Sequence, residues 1–118
     1  SIELPRYAIY TPFPGTGAFT KLKNENRITS DNWSLYDVQH VVFRPKKMSS
    51  QDLFLGNIKA WEETYSIKNI IERITNAGTN IPLSMITNLG YRYYGNRLRR
   101  FDNDNMIRLE KEWNSKLL

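Results

Sequence analysis

The sequence predicts an α+β fold that is predominantly helical, with one or two short N-terminal strands followed by three to four helices. Three observations carry this. The β-branched and aromatic runs that suit strands, residues 6–10 and 39–43, both fall within the first 47 residues. From Phe54 onward, apolar residues recur at helical rather than strand spacing. The chain has 118 residues with three Trp, seven Tyr and five Phe, enough to bury a modest core as one domain without disulfides or metals.

Taken in order, Arg6-Tyr7-Ala8-Ile9-Tyr10 predicts a strand halted by Pro12 and Pro14. Thr11-Pro12-Phe13-Pro14-Gly15-Thr16 cannot be regular structure, because two prolines remove donors and Gly15 frees the backbone. Thr16 can N-cap a helix over 17–26, with Phe19 and Leu22 on one face. A polar loop over 24–32 leads to a short helical turn at 33–36. Gln39-His40-Val41-Val42-Phe43 predicts the second strand, ended by Pro45.

Ser49 and Asp52 resemble a capping box, with Met48 and Leu53 at the staple positions. Phe54, Ile58, Trp61 and Tyr65 form one face of a helix over 50–65, and Ile67, Ile70, Ile71 and Ile74 continue the pattern to Gly78, a helix stop. Pro82 suits the first turn of a helix over 82–98 that turns Met85, Leu89 and Tyr93 inward and is weakened by Gly90 and Gly95. Asp102 can cap a last helix with Phe101 and Met106 as its staple, and Met106, Leu109, Trp113 and Leu117 form its buried stripe. The chain divides into residues 1–47, holding the strands and the proline-glycine turn, and a helical region over 48–118, expected to pack as one compact unit.

Composition narrows the function. With no Cys and one His, disulfides, thiol nucleophiles and cysteine-ligated metal sites are excluded for this chain. No apolar run approaches the roughly 20 residues of a membrane span, and Ser1-Ile2-Glu3-Leu4-Pro5 lacks the basic and apolar regions of a signal peptide. The expectation is a cytoplasmic piece without a catalytic kit of its own. The net charge of +5 arises from both ends, and Arg92, Arg97, Arg99 and Arg100 interleave with Tyr91, Tyr93, Tyr94 and Phe101. That pattern suits a nucleic-acid surface through charge and stacking. It equally suits a helix with aromatics inward and arginines in water. A helical adaptor that binds protein through its Trp-rich helices is a third reading.

Among single residues, His40 is the side chain whose ordinary pKa lies nearest neutrality. It is either a hydrogen-bonded packing residue or a proton donor or substrate contact. Asp37 is either a turn former or the group that orients His40. Arg44, Lys46 and Lys47 either bind an anion or fringe a strand end. Trp33, Tyr36, Trp61 and Trp113 read as core or interface, and Glu62-Glu63 as a solvated pair, since adjacent positions do not share a helix face.

The most distinctive stretch is Thr11-Pro12-Phe13-Pro14-Gly15-Thr16 after an apolar run, then Trp33-Ser34-Leu35-Tyr36-Asp37, Gln39-His40-Val41-Val42-Phe43-Arg44-Pro45 and Met48-Ser49. Over residues 5–66 this succession resembles the C-terminal part of radical SAM enzymes, Fe-S oxidoreductases and in particular the cobalamin-binding group. The resemblance implies the tail of a partial (β/α) barrel plus a helical C-terminal domain, cut from a longer protein that uses a 4Fe-4S cluster, S-adenosylmethionine and, in that group, cobalamin. It implies adenosyl contacts, mainly through the backbone, at Ile9, Tyr10, Thr11 and Pro12, with His40 and Arg44 on the substrate side. The cluster's Cys-x-x-x-Cys-x-x-Cys motif is absent, so catalysis does not carry over. The implied partner is the rest of the same polypeptide, and an isolated chain is expected to self-associate through an unpaired strand edge.

Overall fold

A computed structural model describes residues 4–78 and 80–99. Its elements are α1 (Gly17–Asn24), a 3-10 turn (Trp33–Leu35), α2 (Ser50–Thr64), α3 (Ile67–Ala77) and α4 (Ile81–Leu98). The predominantly helical reading therefore holds. The helix predicted from Asp102, with its staple and the Met106, Leu109, Trp113 and Leu117 stripe, lies outside the described residues. Contacts divide the chain into two units, one containing residues 4–7, 57–78 and 80–99 and the other residues 8–56.

In the 8–56 unit, Thr16 caps α1 as its sequence predicts, its hydroxyl accepting from the Phe19 N–H at 3.2 Å. The Ser49–Asp52 box also forms: the Asp52 N–H donates to Ser49 Oγ at 3.0 Å and the Ser49 N–H to Asp52 Oδ2 at 3.3 Å. The two strands do not form among the described residues. Residues 39–43 contribute a single antiparallel bridge, Ile28 to Phe43, flanked by Thr29 N–H to Val42 C=O at 2.9 Å and Arg44 N–H to Arg27 C=O at 2.7 Å. Residues 6–10 belong to no regular element, and the backbone pairing found among the described residues there is one bond, Ile9 N–H to the Val38 carbonyl at 2.8 Å. The reason is local. Pro12, Pro14 and Pro45 truncate both runs, and Val38, the pairing partner, has a φ of 62°, outside the extended region that a ladder requires. Burial follows the apolar pattern regardless: Ile9, Leu22, Ile28, Tyr36, Val41, Val42 and Phe43 are all buried.

In the other unit, the expected long helical pattern breaks at Tyr65-Ser66. Ser66 caps α3, its hydroxyl accepting from the Asn69 N–H. A helix leaves its last carbonyls without internal partners, and here three side chains serve the end of α2. Asn69 Nδ2 donates to the Glu63 carbonyl at 2.6 Å, Arg73 Nη2 to Thr64 at 2.6 Å and Arg92 Nη1 to Tyr65 at 2.8 Å. Gly78 ends α3 in the left-handed conformation (φ 60°), as predicted. Asn80 caps α4, with Pro82 in its first turn.

The rotational phase of α4 contradicts the sequence expectation. Met85, Leu89 and Tyr93 face outward and are exposed, while Asn88, Gly95 and Leu98 are buried. Two contacts set this phase. A Cβ on Gly95 would lie 3.3 Å from Trp61 Cβ, so the backbone of α4 approaches this ring closely. Asn88 Oδ1 accepts from Arg73 Nη1 at 2.6 Å. With residues 88 and 95 inward, residues 86, 89 and 93 must point away. Gly95 thus has a packing role that outweighs its propensity cost of about 1 kcal/mol.

The Glu62-Glu63 pair also departs from a purely solvated reading. Arg99 donates to Glu62 through both Nε and Nη2, which holds the Glu62 carboxyl below the ordinary carboxylate range. A carboxyl depressed on folding stabilises above its unfolded pKa, and that contribution disappears as pH falls through the lowered folded value. The Glu62→Gln variant is therefore expected to lose less stability between pH 5 and pH 3 than the parent. The difference should be small because the pair is largely solvated. Urea midpoints measured across that range check it, and identical acid limbs would show that the ion pair contributes nothing.

Candidate functional site

The residues singled out from sequence, Ile9 to Pro12 with His40 and Arg44, fall within the 8–56 unit. Asp37 builds their frame. Its Oδ1 accepts from the N–H groups of Gln39 at 2.9 Å and His40 at 3.0 Å. This Asx-type turn carries Val38 into the left-handed region, where a β-branched residue is strained. The Val38 carbonyl then accepts from Ile9 N–H, which fixes the 9–12 segment beside the turn.

Asp37 also reaches the ring of His40, with Oδ2 lying 2.8 Å from Nδ1. Both readings of Asp37 are thus realised, since one carboxylate forms the turn and orients the imidazole.

In the 9–12 segment, Ile9, Thr11 and Pro12 are buried and Tyr10 is exposed at 57%. The Thr11 hydroxyl donates to the Ile9 carbonyl at 3.2 Å. With its N–H bonded to Val38, both backbone groups of Ile9 are engaged. The Tyr10 ring stands edge-on to Phe43 at 5.7 Å, which brings the segment against the residue before Arg44. The Arg44 backbone is held on both sides, its N–H donating to Arg27 C=O and its carbonyl accepting from Arg27 Nε at 2.8 Å. Arg27 Nη1 continues to Glu25 at 2.8 Å, and this bond holds the Glu25 carboxyl below its ordinary value.

A second aromatic group flanks α1. Phe19, Trp33 and Tyr36 lie within ring contact of one another, and Trp33 stands 5.0 Å from Tyr36. Tyr36 is buried and donates to the Ser30 carbonyl at 2.8 Å, and burial pushes its phenol above the usual value. Trp33, expected in the core or an interface, is more than half exposed. Phe13 is exposed as well, so this unit presents three aromatic side chains, Tyr10, Phe13 and Trp33, to solvent. The sequence marks their type and not their exposure, because nothing in the spacing separates an outward ring from an inward one.

The basic stretch of α4 is partly committed to structure. Arg92 caps the end of α2, Arg99 pairs with Glu62 and Arg97 lies over the Tyr93 ring at 5.7 Å. Arg100 is outside the described residues.

Against known proteins, the chain is similar to bacteriochlorophyllide methyltransferases. It is 37% identical over 73 residues to a bacteriochlorophyllide d C-12(1)-methyltransferase of Chlorobaculum tepidum, a match covering 62% of this chain and 16% of that protein. It is 28% identical over 72 residues to the bacteriochlorophyllide d C-8(2)-methyltransferase of the same organism, covering 61% of this chain and again 16% of the relative. The matched stretch thus spans about one-sixth of either relative's length. No family model matches the chain, and no solved structure matches it. No described helix is long and apolar enough to cross a membrane.

Proposed function

We propose that this chain is the C-terminal part of a longer radical SAM, iron–sulfur methyltransferase-type enzyme of the cytoplasm, and that it is not catalytic alone. The carrying observation is the match over 73 residues to a methyltransferase about six times as long as the matched stretch. The Pro-Phe-Pro-Gly-Thr, Trp-Ser-Leu-Tyr-Asp and His-Val-Val-Phe-Arg-Pro succession supports the same reading.

In this reading residues 1–47 complete a barrel and residues 48–118 form a helical tail that closes the substrate side. The partner is the remainder of the polypeptide. Residues 6–10, outside any sheet among the described residues, acquire their ladder from that remainder. A four-iron cluster of this kind needs three thiolates with one iron left open to S-adenosylmethionine. The chain has no Cys, and among the described residues no group of three His, Cys, Asp or Glu could hold a metal. The residues present do not fit the cluster, and any cobalamin is likewise held elsewhere in the longer protein.

This chain's own contribution is positional. Buried Ile9, Thr11 and Pro12 anchor the segment, so that Tyr10 and the adjoining backbone present a fixed surface to an adenosyl group. By the same resemblance His40, its ring held by Asp37, and Arg44 stand on the substrate side.

The genomic reading frame ahead of the Ser1 codon tests the proposal. It is expected to continue without interruption and to encode a Cys-x-x-x-Cys-x-x-Cys motif. A stop codon shortly upstream with no such motif would overturn the reading. Amide shifts on adding S-adenosylmethionine, clustered at Ile9 to Thr16, are expected if the adenosyl contacts persist in this chain, and their absence removes those contacts from it.

A further inference from the structure

The turn over residues 37–40 holds a conformation that the proposed function leaves unexplained. Among the described residues Gly15, Gly78, Asn26 and Val38 have a positive φ, and the first three are of types that tolerate it. Val38, at 62°, is not. The left-handed region costs an ordinary residue about 1–2 kcal/mol, and a β-branched one is an outlier there. Burial does not offset this cost, since Val38 is 39% exposed. Strain of this kind persists where the surrounding structure imposes it, and it gathers at functional positions.

We propose that Val38 is a strained joint that Asp37 holds shut, and that the two are the positioning residues of the segment from Ile9 to Pro12. The chain is anchored on both sides of the joint. Tyr36 before it is buried and donates to the Ser30 carbonyl, and Val41 and Val42 after it are buried. Between these anchors Asp37 closes the turn with both oxygens, Oδ1 on the Gln39 and His40 N–H groups and Oδ2 on His40 Nδ1. The Val38 carbonyl then accepts from Ile9 N–H at 2.8 Å, the one backbone–backbone hydrogen bond that residues 8–12 make among the described residues. Rotating Val38 out of the left-handed region re-aims that carbonyl and breaks the bond. The segment therefore has a held and a released state, with the Asp37 bonds favouring the first and the Val38 strain favouring the second. Glycine at this position would lock the segment, whereas valine keeps the gap narrow, so that the segment can yield as an adenosyl group enters. That use rests on the adenosyl reading given above; the joint itself does not.

Hydrogen exchange at the Ile9 amide of the full chain, with no ligand added, is the test. Val38→Gly should slow it about 5- to 30-fold, the factor that corresponds to the strain relieved. Val38→Asn should act in the same direction, which separates relief of strain from the looser unfolded chain that glycine brings. The Thr29 amide, bonded to the Val42 carbonyl in the same unit, is the reference, so that a general loss of stability shows at both amides and the joint at Ile9 alone. Asp37→Ala should speed Ile9 exchange about tenfold or more, because hydrogen bonds to a charged group are lost. Asp37→Ala/Val38→Gly should return close to the parent rate, since glycine holds this φ without a carboxylate. An unstrained Val38 gives no such rescue, and a double variant that exchanges as fast as Asp37→Ala overturns the proposal. So does an Ile9 rate indifferent to Val38→Gly. Rescue at Ile9 without any shift on adding S-adenosylmethionine would remove the adenosyl reading and leave the joint standing.

Discussion

Trp61→Ala is expected to cost about 4 kcal/mol, the typical loss for a large buried aromatic, and to remove most of the stability of the unit it occupies. Trp61 is 3% exposed and among the described residues touches four rings. It stacks on Tyr65 at 5.6 Å and on Tyr91 at 6.1 Å, and meets Tyr94 at 5.1 Å and Tyr7 at 5.9 Å edge-on. Its Nε1–H donates to the Tyr7 carbonyl at 3.1 Å, tying the N-terminal residues to α2. Truncation therefore loses apolar burial and ring contacts, and it opens a cavity over Gly95, which has no side chain to fill it. Trp61→Phe keeps a ring but strands the Tyr7 carbonyl. Its cost should be smaller, about 1–2 kcal/mol, because Tyr7 is near enough to solvent for water to replace the lost donor. Urea unfolding followed by circular dichroism at the helical band measures both. A loss below about 1 kcal/mol for Trp61→Ala would show that the aromatic cluster does not hold this unit together.

How much of this was legible depends on which interaction fixes each element. Thr16, the Ser49–Asp52 box and Gly78 act through bonds within three or four residues, so their spacing alone announces them, and each does what its sequence implies. The break at Tyr65-Ser66 is local too, but its signal is a phase slip of one residue in an otherwise unbroken apolar pattern. The two expected strands do not form among the described residues, because β-branched composition measures fitness for a pleated surface and not the presence of a neighbour. Val38 in the left-handed region could not be anticipated, since only the Asp37 side chain bonding two successive N–H groups makes it tolerable. At the candidate site, the Asp37–His40 contact was within reach of sequence reasoning, being three residues apart. The exposure of Tyr10 and Trp33 was not, because it depends on contacts distant in sequence. The phase of α4 failed for a further reason. An inward apolar stripe presumes that water sorts the two faces of a helix, whereas here a glycine against Trp61 and an asparagine bonded to Arg73 face inward.

That premise makes Arg73 the second site of large effect. Its guanidinium donates to Asn88 Oδ1 and to the Thr64 carbonyl, both at 2.6 Å, and lies 5.2 Å from the centre of the Tyr65 ring. Arg73→Leu is expected to cost about 3 kcal/mol, because it leaves the last carbonyl of α2 uncapped and a buried amide oxygen without its donor. Asn88 is 2% exposed, and its Nδ2 donates to the Ser84 carbonyl at 2.8 Å, so the group cannot turn its oxygen to water without breaking a second bond. Asn88→Leu alone should cost less, since Arg73 keeps the Thr64 carbonyl and the Tyr65 ring. The double variant decides what holds α4 in its inverted phase. If the polar pair does, Arg73→Leu/Asn88→Leu should be more stable than the sum of the single losses predicts, by about 1–2 kcal/mol, since the Asn88 amide oxygen is then removed together with its donor and only the Thr64 carbonyl stays uncapped. Additive losses would leave Trp61 against Gly95 as the contact that sets the phase, and would predict in turn that Gly95→Leu, not any change at Asn88, rotates the apolar face of α4 inward.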